Sequence, residues 1–280
     1  MATFDLTVSG GALVGSKNYV NSDAKDYGTF TVTSMSSLLP RVIDGDRDSY
    51  WQSETGSDAT TEVMTFSFNS RSAVVSRTFD LLAFTNINWK NFLVESSTDA
   101  AAWTTVTGLD YQVGVADLSS AITDLIVNVT AGVTASYLRV SIYRTQTANA
   151  KKILGGIWVF AGVVQLGMDK YDKSYITRGN VKDQVRGDGS LSVEYIFRSA
   201  ASYEFYSSTV RFPFVSTANR LLLRNVRRDG DPFVFVPFPQ GIPRDVFLCL
   251  FKGDWKEPYA SSYTGAGFNL EAVIEETGGA

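Results

Sequence analysis

Four groups of side chains in this sequence have the types and spacing to hold a ligand or do chemistry. Asp44, Asp46, Asp48 and Ser49 fall within one turn, DGDRDS, and hard oxygen donors so close together can surround calcium; the alternative is an acidic turn that caps itself. Trp89 and Lys90 lie in the polar stretch TNINWKNF, where an indole could stack on a sugar or anchor a protein partner, unless it is partly buried. Tyr143 and Arg144 would add a second ring and a cation to such a ligand site. Arg220, Arg224, Arg227 and Arg228 crowd into NRLLLRNVRRDGD, a basic stripe suited to a partner's acidic surface, with an ordinary solvated face as the alternative. Glu54 with Glu62, or Glu194 with Glu204, are the carboxylate pairs open to glycoside hydrolysis, and nothing in the sequence selects them.

Composition narrows the chemistry further. The 280 residues contain no histidine, which removes Ser-His-Asp, Cys-His and the usual zinc chemistry and leaves mainly carboxylates. We therefore expect no enzyme activity, and no cofactor beyond a structural calcium. The single cysteine, Cys249, excludes an internal disulfide framework, and its setting in VFLCLF is that of a small apolar core residue. Net charge is −4, so neither nucleic acid nor an anionic membrane is an expected partner. The stretch from residue 161 onward carries 14 basic and 14 acidic residues, which leaves 11 and 15 for the first part and places the whole negative balance there. The start, MATFDLTVSG, has no basic and apolar pattern of a signal peptide, and the expectation is a soluble, unprocessed chain.

The elements that must position these groups read as strands. Segments 3–9, 30–32, 62–68, 74–84, 92–97, 127–129, 137–142 and 157–160 have β character in the first part. Within them Leu81, Leu82, Ala83 and Phe84 look buried on both sides. Trp51, Trp103 and Trp158 lie beside strands and are expected to fill a core. After residue 162, segments 163–168, 191–198, 202–214, 220–225, 233–238, 246–252 and 268–275 read as seven more strands. No helical period longer than about three turns stands out, and 115–125 holds one short helix at most. The fold expected is all-β: one sandwich over 1–162, then a second antiparallel sandwich or barrel over 163–280.

The order of LPRVIDGDRDSYWQS, FLVESS, TDAAAWTTV, YLRVSI and IWVF resembles the discoidin, or coagulation-factor C-type, domain, a galactose-binding-like jelly-roll sandwich. That resemblance implies that 85–91 reaches a rim where ligands are held, and that the turn around Asp44 holds a structural calcium. The family's helping glutamate is replaced here by Gly155-Gly156, and the glycine of its Ser-Thr-Asp-Gly turn by Ala100. The C-terminal segments LGMDKYDKSYITRGNVKDQVRGDGSLSVEYIFRSAASYEF and DPFVFVPFPQGIPRDVFL resemble in style the β-rich tail or baseplate proteins of bacteriophages. Together the two resemblances imply a non-enzymatic structural subunit of a virion, made in the host cytoplasm. Its partners would be other virion subunits and copies of itself, with a cell-surface glycan as a further contact. The alternative is a carbohydrate-binding module with an accessory β domain. The many aromatics of the second part, among them Phe205, Tyr206, Phe212, Phe214 and Phe233, exceed what a small core needs and point to subunit contacts.

Overall fold

The computed structural model describes residues 12–15, 19–20, 27–44, 49–70, 73–166, 170–178, 181–185, 191–195, 203–230, 232–237, 246–262 and 265–276. The expected strand over 3–9 lies outside them. Within them the chain is nearly all β, and the antiparallel pattern expected from the sequence is what forms. Alternation builds the first sandwich. One sheet runs Tyr27–Val32, Glu62–Ser70, Tyr137–Thr145, Trp89–Ser97, Thr104–Tyr111, with Ala73–Val74 as a short addition. Facing it, Gly156–Phe160, Arg77–Thr85 and Leu125–Ala135 form a three-stranded sheet, and Lys151–Leu154 pairs with Trp51–Gly56 at one end. Trp51, Phe66, Phe68, Phe79, Phe84, Phe92, Leu138, Val140, Ile142, Ile157 and Val159 interdigitate between the sheets.

The three-stranded sheet is buried on both faces, which explains why LLAF and IWVF read as unbroken apolar runs. Ile157 and Val159 point into the sandwich, whereas Trp158 and Phe160 point the other way, together with Leu81, Ala83 and Ile126. There they pack on Val234, Val236, Val246 and Leu248 from the C-terminal part. The strand Phe233–Val236 repeats the device. Phe233 and Phe235 enter the C-terminal core, and Val234 and Val236 face the sandwich.

The C-terminal part contains one eight-stranded antiparallel sheet and a separate antiparallel pair, Val181–Val185 with Leu191–Tyr195. The order of the eight-stranded sheet is Val163–Leu166, Ala12–Gly15, Phe233–Val236, Phe247–Lys256, Gly265–Glu276, Tyr203–Val215 and Lys170–Arg178, with Tyr259–Ser262 added to Gly265–Glu276. Leu166 and Lys170 belong to opposite ends of that order, yet four peptide units between them span at most about 14 Å. A flat sheet would hold the two edges about 29 Å apart, so this one must curl toward a barrel. Ala12–Gly15, assigned by sequence to the first domain, lies in this sheet: Gly15 pairs with Val163 and Val14 with Phe235. The sandwich is therefore entered from one strand of the C-terminal sheet and left by the neighbouring one.

Segment 220–225, read as a strand, is part of the helix Thr217–Asp229. Ser216 accepts a hydrogen bond from the Asn219 N–H at its start, and Gly230 takes a left-handed conformation at its end (φ 70°). Between the caps, Leu223 and Val226 bury on the curled sheet. Segment 115–125 contains turns and no helix, while Ser36–Val42 forms a 3-10 helix.

Candidate functional site

At the rim, Trp89, the candidate stacking ring, is fully buried. Its ring packs between Phe84 (5.5 Å) and Phe92 (5.3 Å), and Phe92 stacks on Tyr111 at 4.9 Å. Such an indole cannot stack on a ligand. The loops around it are tied to one another: Gln146 Nε2 donates to the carbonyls of Trp89 (2.7 Å) and Leu118 (2.9 Å), and Asn91 Nδ2 donates to Ala116 O (2.9 Å) and Asp117 Oδ1 (2.8 Å). Lys90 Nζ lies 3.2 Å from Asp117 Oδ2, and Arg144 is exposed nearby. The Asn91 hydrogen bond, followed by Lys90, holds the Asp117 carboxyl below its ordinary range. Lys90 and Arg144 thus share a solvated acid at this rim.

A second ligand-sized group lies on the open face of the larger sheet. Along Tyr137–Thr145, alternation sends Leu138, Val140 and Ile142 into the core, so Tyr137, Arg139, Ser141 and Tyr143 face outward. Arg139 sits opposite Glu95 on the neighbouring strand and donates from both Nε (2.9 Å) and Nη2 (2.7 Å) to Glu95 Oε2. Its guanidinium lies 4.1 Å over the ring of Trp103, which is half-buried rather than in the core as expected. Tyr143 is close enough to Glu95, Arg139 and Asp110 to sense their charges. Burial first, then the Glu95 charge, raises its pKa. Trp103, Arg139, Glu95, Tyr143 and Asp110 form one contiguous polar and aromatic patch.

The turn carrying Trp103 is built by its own polar side chains. Ser97 Oγ accepts from the N–H groups of Asp99 (3.2 Å) and Ala100 (2.9 Å), and Asp99 Oδ1 accepts from those of Ala101 (2.8 Å) and Ala102 (2.9 Å). The Ala102 and Ala101 bonds, with that from the Ser97 hydroxyl, lower the Asp99 pKa. Ala100 adopts φ 61°, the left-handed conformation that a glycine would take without strain.

Of the proposed calcium ligands, Asp46 and Asp48 lie outside the described residues. Ser49 Oγ sits between Asp44 Oδ2 (2.7 Å) and the Arg41 carbonyl (3.0 Å), so the two described donors bond locally instead of converging on open space. Gly155 and Gly156 offer no carboxylate, and among the described residues no group of three or more acidic, histidine or cysteine side chains could hold a metal. One rim loop is organised instead by an ammonium: Lys152, 1% exposed, donates from Nζ to the carbonyls of Ser57 (2.6 Å) and Thr60 (2.8 Å).

The arginine stripe is used largely within the chain. Arg224 Nε donates to Glu257 Oε1 (2.6 Å), and Arg220 Nε lies 3.2 Å from Glu257 Oε2. Trp255 Nε1 also donates to Glu257. Arg220 covers the Phe268 ring at 3.8 Å, Arg227 lies over Trp255, and Arg228 pairs with Asp229. Burial would raise the Glu257 carboxyl, but bonds from Arg224 and Trp255 and the two positive charges outweigh it and hold it low. Among the carboxylate pairs, Glu54 is exposed, while Glu62 is buried and accepts from Thr33 Oγ1 at 2.5 Å. The side chains of Glu194 and Glu204 lie outside the described set.

No protein-family model and no curated protein matches this chain. Among solved structures it is similar to CpGH89CBM32-6 produced by Clostridium perfringens, with 15% identity over 52% of this chain and 100% of that one and a TM-score of 0.40. It is also similar to CBM32-3 from a family 31 glycoside hydrolase of the same organism (16%, 49% and 92%, TM-score 0.37). A third likeness is to chitosan-binding module 1 from a chitosanase/glucanase of Paenibacillus sp. IK-5 (18%, 51% and 98%, TM-score 0.37). Scores this low carry no weight for function, which must rest on the side chains.

Proposed function

We propose that this chain is a non-enzymatic contact protein, in which the sandwich is a display module and the curled C-terminal sheet is the unit that anchors it in a larger assembly. One observation carries the reading. The sandwich is spliced between two paired strands, Ala12–Gly15 and Val163–Leu166, and is also clamped to that sheet by Trp158, Phe160, Val234, Val236 and Leu248. A module joined by two adjacent strands and an apolar seam is held in one orientation, as display requires and as a module on a flexible linker would not be. The assembly we have in view is a bacteriophage tail or baseplate, a reading supported by the style of the C-terminal sequence.

Size-exclusion chromatography with light scattering tests it. The full chain should self-associate as concentration rises, or co-purify with a partner, and Trp103→Ala should leave that association unchanged. A chain that stays monomeric and alone at every concentration would overturn the reading.

A further inference from the structure

We infer that the open face of the larger sheet binds an extended, neutral oligosaccharide along Tyr137–Thr145, with Trp103 and Tyr143 as the stacking rings. The inference rests on the contact-protein reading and gives its display module a ligand class. The strand presents Tyr137, Arg139 and Tyr143 outward, with Ser141 on the same face but buried, and the two tyrosines are about 20 Å apart along it. Between them Arg139 holds its guanidinium 4.1 Å from the centre of the Trp103 ring, and Glu95 accepts from it to fix its direction. A sheet face has no walls to enclose a terminal sugar, so contact must accumulate along a chain of several units.

The chemistry of the patch selects the ligand. Rings offer apolar faces to the C–H side of a pyranose, and Tyr143, Arg139 and Asp110 offer donors and acceptors to its hydroxyls. The Arg139 charge is cancelled by Glu95, and Asp110 adds a negative charge, so the face repels an acidic sugar and has no unpaired cation to recruit one. Among the described residues the rim lacks this combination, because its indole, Trp89, is inside.

Isothermal titration of the full chain with neutral and acidic oligosaccharides of increasing length, and with monosaccharides, decides the matter. Binding should strengthen with length in the neutral series, and Trp103→Ala should weaken it about tenfold or more. Tyr143→Ala should do the same, which keeps the test decisive if Trp103→Ala disturbs its turn, whereas Lys90→Ala should leave binding unchanged. Preference for acidic sugars, loss of binding in Lys90→Ala but not in Trp103→Ala, or no saccharide bound at all would each overturn the inference. The contact-protein reading would still be judged separately, by light scattering.

Discussion

Lys152 shows how single residues hold the site's surroundings. Burial pulls its pKa below the ordinary lysine value while Glu62 and Asp58 pull it back, and the carbonyls of Ser57 and Thr60 satisfy its donors. Lys152→Met would take the donor from the Ser57 and Thr60 carbonyls, and should cost about 1–3 kcal/mol in urea unfolding. Ala100 gives the opposite sign. Relief of left-handed strain of about 1–2 kcal/mol exceeds the entropy that glycine adds to the unfolded chain, so Ala100→Gly should raise Tm slightly. Glu257 sets a pH dependence. Its folded pKa lies below the ordinary 4.5, so its contribution is complete above that value and is lost as pH falls through the lower folded one. Glu257→Gln should flatten that acid limb of the stability curve. At this scale the sequence misleads about one tryptophan and leaves another open. Trp89 has polar neighbours that allow exposure or partial burial, and it opens a strand whose inward face is aromatic; Trp103 looks like core but sits on a turn built by Ser97 and Asp99. The visible clue was the outward register of Glu95 and Arg139, opposite charges on adjacent strands.

At the scale of elements, strands were legible wherever period two or a doubly buried apolar run ran uninterrupted, as in EVMTFSF and IWVF. Short strands such as Lys151–Leu154 carry too few alternations to read. The helix was missed although its signals are present: Ser216 before it, Gly230 after it, and Leu222, Leu223 and Val226 at helical spacing. The arginines interleaved with them leave the apolar residues as a run, LLL, that fits a strand as well as a helix. Ser216→Ala should therefore cost about 1 kcal/mol through the lost cap, read by thermal unfolding. Trp158→Ala, which opens the seam between sandwich and curled sheet, should cost about 3–5 kcal/mol.

At the scale of the molecule, two β units share strands and an apolar seam, and their proposed tasks fall on different surfaces. Pairing of Ala12–Gly15 with strands more than 145 residues away was invisible in the sequence, because nothing local in ALVG distinguishes one sheet from another. The most direct test of this division of labour is hydrogen–deuterium exchange on the full chain, first in its associated state and then with a neutral oligosaccharide. Association should protect the C-terminal sheet and leave the open face unchanged, while the saccharide should slow exchange in the turn 98–103 and along 137–143. Protection of one common surface by both, or consumption of the saccharide during the measurement, would contradict the account.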